Sequence, residues 1–408
     1  MRRYDAVRGQ TLALTAGLSA EDQQIQSMPD VSPTKWHLAH MAWFFETFLL
    51  APRLPSYEVF DPQFGFLFNS YYEAVGERWP RPERGLLSRP SADRILAYRR
   101  YVDAHMSALI AGASDEEWSE IEPVLELGLH HEQQHQELIL MDIKHVFSLN
   151  PLAPAYAPAR AWPAGEAHPL SWVAHPGGLV EIGHDGSGFA FDNEGPRHKV
   201  WLEPFVLANR LSTCGEYLAF VQDGGYARPG LWLSDGWAAV QREGWSAPLY
   251  WRDEDSQPHI FTLSGLRRLN PAEPVSHLSF YEAEAFARWS GKRLPTEAEW
   301  ETLAQHHPMA ASEPSGLFHP QAAAPISGLQ QMTGELWQWT ASPYGPYPRY
   351  RPPEGPIGEY NGKFMSSQMV LRGGAAVTPA EHTRMSYRNF FPPHARWAFS
   401  GVRLADDA

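Results

Sequence analysis

Two histidines placed four residues apart are the clearest chemical signal in the chain. His131 and His135 lie in the run HHEQQHQE at 130–137. On a helix, residues four apart share one face with their Cβ atoms about 5–6 Å apart, so two such imidazoles can reach a single ion. A third histidine, His40, lies in another apolar helical stretch that can face the first. We therefore predict a metal site at His131 and His135, for which His40 can supply the third ligand.

The residues alone leave alternatives open at this site. His37 lies three residues before His40, on much the same helix face, and His130 is a second competitor for the third position. Spacing does not choose between zinc and iron. The run from His131 also fits H-E-x-x-H, so a zinc hydrolase is a live hypothesis, which requires Glu132 to face a metal-bound water.

The elements that must position these histidines are helices. Apolar residues recur at helical spacing over 33–50, 91–111 and 123–147, with a further helix near 5–25. Ser32 before Pro33 is a suitable N-cap followed by proline at the first helical position. Four apolar stripes are buried most simply in an antiparallel four-helix bundle.

A second domain follows a linker. The stretch 151–169 is rich in Pro and Ala, which suits neither a regular helix nor a central strand. Beyond it, 179–182 and 199–202 look like short strands, and helices are expected at 213–223 and 279–290. We predict a multidomain α and α+β protein with a bundle at 1–150, a linker at 151–169 and an α+β domain at 170–408.

Composition narrows the class of protein. The net charge of −14 argues against nucleic-acid binding. Cys214 is the only cysteine, which rules out a disulfide framework and a Cys-rich zinc site. The chain has neither a secretion-signal pattern at its start nor about 18 consecutive apolar residues. We expect a soluble, cytoplasmic protein without membrane or nucleic-acid partners.

Several motifs together resemble one enzyme family. They are SPTKWHLAH (32–40), NSYYEAVGERWPRPERG (69–85), HHEQQHQE (130–137), GKRLPTEAEWE (291–301), GELWQWT (334–340), LRGG (371–374) and YRNFFPP…FSGVRL (387–404). The combination resembles the ergothioneine-biosynthesis sulfoxide synthases. Members look like a DinB-type four-helix bundle fused to a formylglycine-generating-enzyme-like, C-type-lectin-like domain. Formylglycine-generating enzymes themselves use a cysteine pair, which this chain lacks.

The resemblance implies a reaction and a cofactor. Members join a thiol sulfur to the imidazole C2 of hercynine, using Fe(II) and dioxygen, and give a sulfoxide. The iron ligands carry over onto His40, His131 and His135. Hercynine-binding positions carry over onto Gln134 and Asn389, and we expect the neighbouring Phe390 and Phe391 to hold the trimethylammonium group by their ring faces.

The sulfur donor is predicted less directly. Members differ between cysteine and γ-glutamylcysteine, and the stretch 69–85 looks most like the cysteine-using type. Arg81 and Arg84 present planar guanidinium groups suited to the donor's carboxylate. A close relative, selenoneine synthase, forms a C–Se bond with a selenosugar instead and is the alternative enzyme. A metal-free ligand-binding module is the alternative from another class.

Two adjacent tyrosines complete the prediction. Tyr71 and Tyr72 are expected to supply a proton while dioxygen is reduced, because a phenol with a pKa of about 10 stays protonated at neutral pH. On an extended segment the two would point to opposite sides, so only one would face the metal. In other members the catalytic tyrosine comes from the second domain, where Tyr344 or Tyr347 would be the candidates.

Overall fold

The computed structural model describes residues 1–158, 165–306 and 316–408. Its contacts divide the chain into two units. The first contains Met1–Leu152 together with Pro353–Tyr360, and the second contains Ala153–Pro352 and Asn361–Ala408. The predicted linker is only partly described, because residues 159–164 lie outside the described ranges. The predicted domain limits also gave the first domain no part of the chain beyond residue 150, whereas the segment 353–360 belongs to the first unit.

The first unit is a bundle of four long helices with shorter connecting segments. Its helices are α1 (Arg2–Thr15), α2 (Thr34–Phe45), α3 (Ala51–Arg53), α4 (Phe64–Phe68), α5 (Ala92–Gly112) and α6 (Asp115–Ser148). A π-helical turn at Glu46–Leu50 extends α2, and 3₁₀ turns lie at Asp22–Gln24, Arg81–Leu86 and Pro356–Glu359. Helix α2 packs against α5 and α6, and α1 packs against α6. All 12 residues of α2 are buried, so this helix forms the centre of the bundle.

Two predicted helix boundaries in this unit are wrong. Helix α6 begins at Asp115 rather than near Pro123, because Ser114 and Glu117 form a capping box at its start. Pro123 is tolerated inside the helix because it lies on an exposed face, where the carbonyl that it leaves unbonded is open to water. The first helix ends at Thr15 rather than near residue 25.

The second unit is an α+β fold built from short strands. Its strands are β1 (Trp172–His175), β2 (Gly178–Ile182), β3 (His198–Leu202), β4 (Phe205–Ala208), β5 (Trp251–Glu254), β6 (Gln257–Thr262), β7 (Gly265–Arg268), β8 (Trp337–Pro343), β9 (Met369–Arg372), β10 (Asn389–Phe391), β11 (Ser400–Gly401) and β12 (Ala405–Asp407). They form sheets in the orders β10-β9-β8-β11, β1-β4-β12, β5-β6-β7 and β2-β3. All neighbouring strands are antiparallel except the β8–β11 pair.

Four helices accompany these sheets in the described part of the second unit. They are α7 (Cys214–Gln222), α8 (Ser234–Glu243), α9 (Phe280–Trp289) and α10 (Glu297–Ala304), and 3₁₀ turns occur at Asp192–Glu194, Gly225–Ala227, Pro229–Leu231, Gly362–Phe364 and Ala380–His382. Helices α7 and α9 were predicted, and both start at capping boxes. The fold class, a helical domain followed by an α+β domain, is confirmed. No helix in the described ranges is long and apolar enough to cross a membrane.

Candidate metal centre

Helices α2 and α6 bring three histidines together inside the first unit. His40 lies on α2, and His131 and His135 lie one turn apart on α6. Each histidine contributes one ring nitrogen to a group of three atoms that lie within 4.8 Å of one another. All three residues are buried. The four-residue spacing on α6 therefore produces the shared face that the sequence predicted.

The His40 ring is held by contacts on three sides. Its Nδ1 donates to the carbonyl oxygen of Phe68 at 2.6 Å, which leaves Nε2 for another partner. The Trp36 ring stacks on the His40 ring, with centroids 4.7 Å apart and an interplanar angle of 15°. The Trp43 ring also stacks on His40, at 5.4 Å and 16°. These tryptophans lie four residues before and three after His40, so a single face of α2 carries all three rings.

The free nitrogens of this cluster fit a divalent metal ion. Within the described ranges, neither His40 Nε2 nor either ring nitrogen of His131 has a hydrogen-bond partner, although all are buried. Burying a polar nitrogen is unfavourable for folding unless it binds a hydrogen-bond partner or an ion. Burial lowers the pKa of His131 to about 3 and places the pKa values of His40 and His135 well below their usual range. All three imidazoles are therefore neutral at physiological pH, as metal ligands must be.

The structure places the two competing histidines elsewhere. His37 Nδ1 lies 2.8 Å from His135 Nδ1, and His37 Nε2 lies 3.0 Å from Asp142 Oδ2, so His37 contacts a cluster member from behind. His130 Nε2 lies 2.8 Å from Arg3 Nη2. Among the described residues, His40, His131 and His135 are the group whose ligand atoms lie close enough together to hold a metal ion.

Glu132 does not have the position that a zinc hydrolase requires. Its carboxylate accepts from Arg8 Nη1 at 2.7 Å, from Arg99 Nη2 at 2.9 Å and from the Thr11 hydroxyl at 2.7 Å. Burial alone would raise the pKa of Glu132, but the two arginines outweigh burial and lower it to about 2. A carboxylate bound in this way is a structural anchor between helices and a poor base for a metal-bound water.

The tyrosine pair lies in a loop beside the cluster. Asn69 organises this loop, because its side chain accepts from the Tyr72 backbone N–H at 3.1 Å and donates to the carbonyl oxygens of Tyr72 and Gly76 at 3.0 Å each. The expectation that Tyr71 and Tyr72 point to opposite sides is wrong, because the segment turns rather than extends. The two rings stack at 4.6 Å.

The two tyrosines differ in exposure. Tyr72 is fully buried and its ring lies 5.6 Å from that of Trp43, whereas Tyr71 is half-buried. Burial, followed by the neighbouring Tyr71 and Tyr360, raises the pKa of Tyr72 well above its usual value. The Tyr72 phenol is therefore protonated throughout the physiological pH range.

A third tyrosine reaches the cluster from much later in the chain. Tyr360 belongs to the first unit, where its ring lies 5.7 Å from that of His131 and 6.2 Å from that of Tyr71. Its hydroxyl donates to Gln134 Oε1. The preceding residue, Glu359, accepts from the backbone N–H groups of Glu73 and Ala74 at 3.0 and 2.8 Å. The segment 353–360 is thereby fastened to the tyrosine loop.

Sequence reasoning missed Tyr360. It named Tyr344 and Tyr347 as the tyrosines of the later part of the chain, and both belong to the second unit. There the Tyr344 hydroxyl accepts from Asn193 at 2.9 Å, and the Tyr347 ring lies 3.9 Å from the Arg388 guanidinium carbon. No local pattern separates Tyr360 from the other tyrosines, because its position depends on a long-range return of the chain.

Arg84 is a buried cation next to the histidines. Its guanidinium carbon lies 3.3 Å from the ring centre of Trp36, the tryptophan that stacks on His40. Its hydrogen-bond partners are the hydroxyls of Ser32 at 2.9 Å and Ser70 at 3.3 Å, and in the described part of the chain its buried Nε has none. Burial, with help from Arg81 and Arg78, holds the pKa of Arg84 well below its usual value.

The remaining predicted residues are placed as follows. Gln134 is half-buried on α6 and bonds to Tyr360. Arg81 is exposed and donates to the carbonyl oxygen of Asp30. Asn389, Phe390 and Phe391 form β10 in the second unit, where Phe390 stacks on Tyr344 at 4.0 Å and 11°. Roles in substrate binding for these residues stay predictions.

Comparisons with known proteins agree with this architecture. Residues 3–139 match the DinB superfamily, and residues 163–307 and 303–408 match the sulfatase-modifying factor enzyme 1-like domain. The hercynine oxygenase of Mycolicibacterium smegmatis is 32% identical, with 98% of this chain and 96% of the relative covered. Those of Mycolicibacterium thermoresistibile and Mycobacterium tuberculosis are each 33% identical, with 100% and 93% of this chain and 94% and 92% of the relatives covered.

The matches define a two-domain protein in which a DinB bundle carrying a histidine cluster precedes a sulfatase-modifying-factor-like domain. The sequence identity to the three hercynine oxygenases, over nearly the full length of both chains, also shows the family. The chain belongs to the hercynine oxygenase family, the ergothioneine-biosynthesis sulfoxide synthases that its motifs resembled, and it is an oxygen-dependent oxidoreductase. The zinc hydrolase and metal-free module hypotheses are therefore wrong.

Proposed function

We propose that the protein joins C2 of the hercynine imidazole to the sulfur of cysteine in ergothioneine biosynthesis. One dioxygen accepts four electrons: the C–H and S–H bonds break, a C–S bond forms, one oxygen atom becomes the sulfoxide oxygen and the other leaves as water. The observation that carries this proposal is the buried set of three neutral histidines next to Arg84, which forms no salt bridge with any described residue and donates to serine hydroxyls.

Fe(II) is the proposed metal. Three neutral histidines add no negative charge, unlike the two-histidine, one-carboxylate set of many oxygenases, so anionic substrate groups bind without charge repulsion from the ligands. When bound, the iron supplies open coordination positions for thiolate and hercynine and the electrons that activate dioxygen. The stacked Trp36 and Trp43 rings fix the direction of the His40 ring, and the dry surroundings keep all three imidazoles deprotonated.

Arg84 is proposed to bind the donor's carboxylate. A buried cation whose partners are serine hydroxyls still requires a counter-charge, and a carboxylate matches the guanidinium fork with two parallel hydrogen bonds. A selenosugar has no carboxylate. The site at Arg84 therefore favours an amino-acid thiol over the donor of selenoneine synthase. Arg81 remains a proposed outer contact for the same group.

The other substrate contacts are proposed from the family resemblance. Gln134 lies one residue before His135 and is the proposed partner of the hercynine imidazole, while Asn389, Phe390 and Phe391 are proposed to bind its trimethylammonium end. Tyr71 or Tyr72 is proposed as the proton donor during dioxygen reduction. Burial keeps the Tyr72 phenol protonated, so its O–H can donate a hydrogen bond, and the raised pKa makes it a weak acid until the accepting oxygen becomes more basic. A cytoplasmic location also stays a prediction.

The deciding experiment supplies metal-reconstituted protein with hercynine, dioxygen and one donor at a time. The donors are cysteine, γ-glutamylcysteine and selenoglucose, and products are identified by mass spectrometry. We expect the sulfoxide from cysteine and none without dioxygen. A product from selenoglucose alone would instead identify a selenoneine synthase.

Two alanine variants test the metal assignment in the same assay. We expect His131→Ala to lose both iron retention and activity, because it removes a ligand. His130→Ala is the matched control, since it removes the adjacent histidine, which faces Arg3. Iron content unaffected by substitution of each of His40, His131 and His135 would place the metal elsewhere.

A further inference from the structure

We propose that Asp142 and His37 are positioning residues that determine which nitrogen of His135 is available to the metal. The inference rests on the proposed metal centre and adds two residues that do not themselves coordinate. His37 is 1% exposed, Asp142 is 3% exposed and His135 is 8% exposed, so water does not compete for the hydrogen bonds among them.

The Asp142 carboxyl group lies at the start of a chain of hydrogen bonds that ends at His135. Asp142 Oδ2 accepts from the backbone N–H of Ser32 at 2.8 Å and lies 3.0 Å from His37 Nε2. An oxygen that accepts from a backbone N–H acts as an acceptor here and not as the O–H of a carboxylic acid. His37 Nε2 must therefore carry the proton of this hydrogen bond.

The second step fixes the other nitrogen of His37. A neutral histidine that binds a metal through Nε2 carries its proton on Nδ1, and the partner of that Nδ1 must be an acceptor. His37 Nδ1 lies 2.8 Å from His135 Nδ1, and two nitrogens at that distance share one proton. That proton belongs to His135, because His37 has already placed its own on Nε2.

The position of this proton determines which nitrogen of His135 can bind the metal. With its proton on Nδ1, His135 keeps the lone pair of Nε2 for the metal. The opposite tautomer would direct an N–H at the ion and prevent coordination. His40 is oriented by the same principle, because its Nδ1 donates to Phe68. Partners of this kind orient a ligand and raise its basicity.

Ser32 links the same carboxylate to the proposed donor site. Its backbone N–H donates to Asp142 and its hydroxyl accepts from Arg84. These are different groups of one residue, so the two connections can be separated by substitution. Ser32→Ala keeps the backbone bond to Asp142 and removes only the hydroxyl that contacts Arg84.

The test measures Co²⁺ binding to metal-free protein by visible absorption, which requires no turnover. His37→Leu and Asp142→Leu remove the acceptors, and we expect roughly 10–100-fold weaker Co²⁺ binding together with an altered ligand-field spectrum. His37→Asn places an amide oxygen near the former Nδ1 and should restore much of the affinity. Asp142→Asn keeps a neutral acceptor, which forms a weaker bond than a carboxylate, and should fall between wild type and Asp142→Leu.

Two control variants exclude a general loss of structure. Asp103→Asn changes another carboxylate of the first unit, which accepts from Tyr4 and Arg8 at 2.7 Å each, and it should bind Co²⁺ like wild type. Ser32→Ala should do the same. Thermal unfolding of each metal-free variant shows that the compared proteins are folded.

The outcomes separate this inference from the proposed function. Leucine variants that bind Co²⁺ as tightly as wild type, with an unchanged spectrum, would overturn the positioning role. If the leucine variants do not fold, Asp142→Asn decides, and wild-type affinity there contradicts the proposal. Wild-type protein that does not bind Co²⁺ at all would instead contradict the metal centre itself.

Discussion

In the proposed function, the buried charge of Arg84 serves substrate binding rather than the stability of the fold. Taking a guanidinium out of water without a carboxylate partner is unfavourable for folding. The Arg84 guanidinium lies over the Trp36 ring, and the same ring stacks on His40. This buried charge therefore lies beside the histidine cluster. A substrate carboxylate would remove the imbalance, so the unfavourable term in the free protein becomes favourable binding free energy.

This reasoning predicts the behaviour of Arg84→Met. We expect KM for cysteine to rise roughly 10–100-fold, since a hydrogen bond to a charged group contributes about 1.5–3 kcal/mol. The melting temperature should be unchanged or higher, because the buried charge is gone. Arg53→Met is the control, since Arg53 is paired with Glu120 at the surface of the same unit. A KM for cysteine unchanged in Arg84→Met would remove Arg84 from the donor site.

The three tyrosines near the cluster make a second prediction. Tyr71→Phe, Tyr72→Phe and Tyr360→Phe each remove one hydroxyl and keep the ring. In the variant that lacks the proton donor, we expect products to shift from the sulfoxide toward cysteine sulfinic acid, with sulfoxide formation slowed about 10²–10⁴-fold. Mass spectrometry of both products gives the ratio. Wild-type ratios and rates in all three variants would contradict a tyrosine acid.

At the scale of elements, Gly128 allows α6 to approach α2. A Cβ at this position would lie 2.5 Å from Phe45 Cε1 and 2.9 Å from Phe44 Cε1. Both phenylalanines are fully buried, and the Phe44 ring lies 4.8 Å from that of His131. The close contact between the helices therefore also sets where one ring of the histidine cluster lies.

We expect Gly128→Ala to destabilise the protein by about 1–3 kcal/mol, because overpacking outweighs the roughly 1 kcal/mol that alanine gains in a helix. Gly9→Ala in α1 is the matched control. Its Cβ would meet no atom within 4 Å, so helix propensity alone should raise stability slightly. Chemical denaturation measures both changes. Equal stabilisation by the two substitutions would show that the helices can separate without cost.

The elements were predictable to the extent that their signals are local. Apolar periodicity placed α2, α5 and α6, and the predicted starts of α7 and α9 at Thr213 and Ser279 coincide with capping boxes in the structure. Helix α10 was missed although Thr296 and Glu299 form the same box, because the segment is short. Helix α8 starts without a side-chain cap at Leu233, so no such signal existed there.

The site was predictable to a similar extent. The spacing of His131 and His135 was sufficient to pair them on one helix face. The choice between His37 and His40 was not available from spacing, because both occupy one face of α2. Two contacts separate the roles of these histidines. The Phe68 carbonyl oxygen accepts from His40 Nδ1 and leaves His40 Nε2 for the cluster, whereas Asp142 bonds to His37 Nε2. Such contacts arise only when distant segments fold together.

For the whole molecule, the buried histidines predict a pH dependence of stability without metal. The pKa values of His37, His40, His131 and His135 are lowered in the folded state, so the unfolded chain binds more protons below pH about 6.5. The free energy of unfolding is therefore unaffected by these groups above that pH, and it decreases as the pH falls below it. Between pH 7.5 and 5.5 each contributes a loss of up to about 1.4 kcal/mol.

Urea denaturation of metal-free protein at the two pH values measures this loss. His131→Gln is the informative variant, since it removes the group whose folded pKa is about 3 and should give a shallower dependence. Bound metal should steepen the dependence, because protons compete for the same nitrogens. Stability that is constant between the two pH values would mean that these imidazoles are not buried in neutral form.

The return of Pro353–Tyr360 to the first unit has a consequence for recombination between relatives. Such enzymes invite engineering by exchange of halves, with a crossover placed in the linker. Here that crossover would take the histidine-bearing helices from one parent, and Glu359 and Tyr360 from the other. A chimera would then pair a tyrosine loop with a fastening segment that evolved beside a different loop. Inheriting the first unit intact from one parent requires two further junctions, one on each side of 353–360.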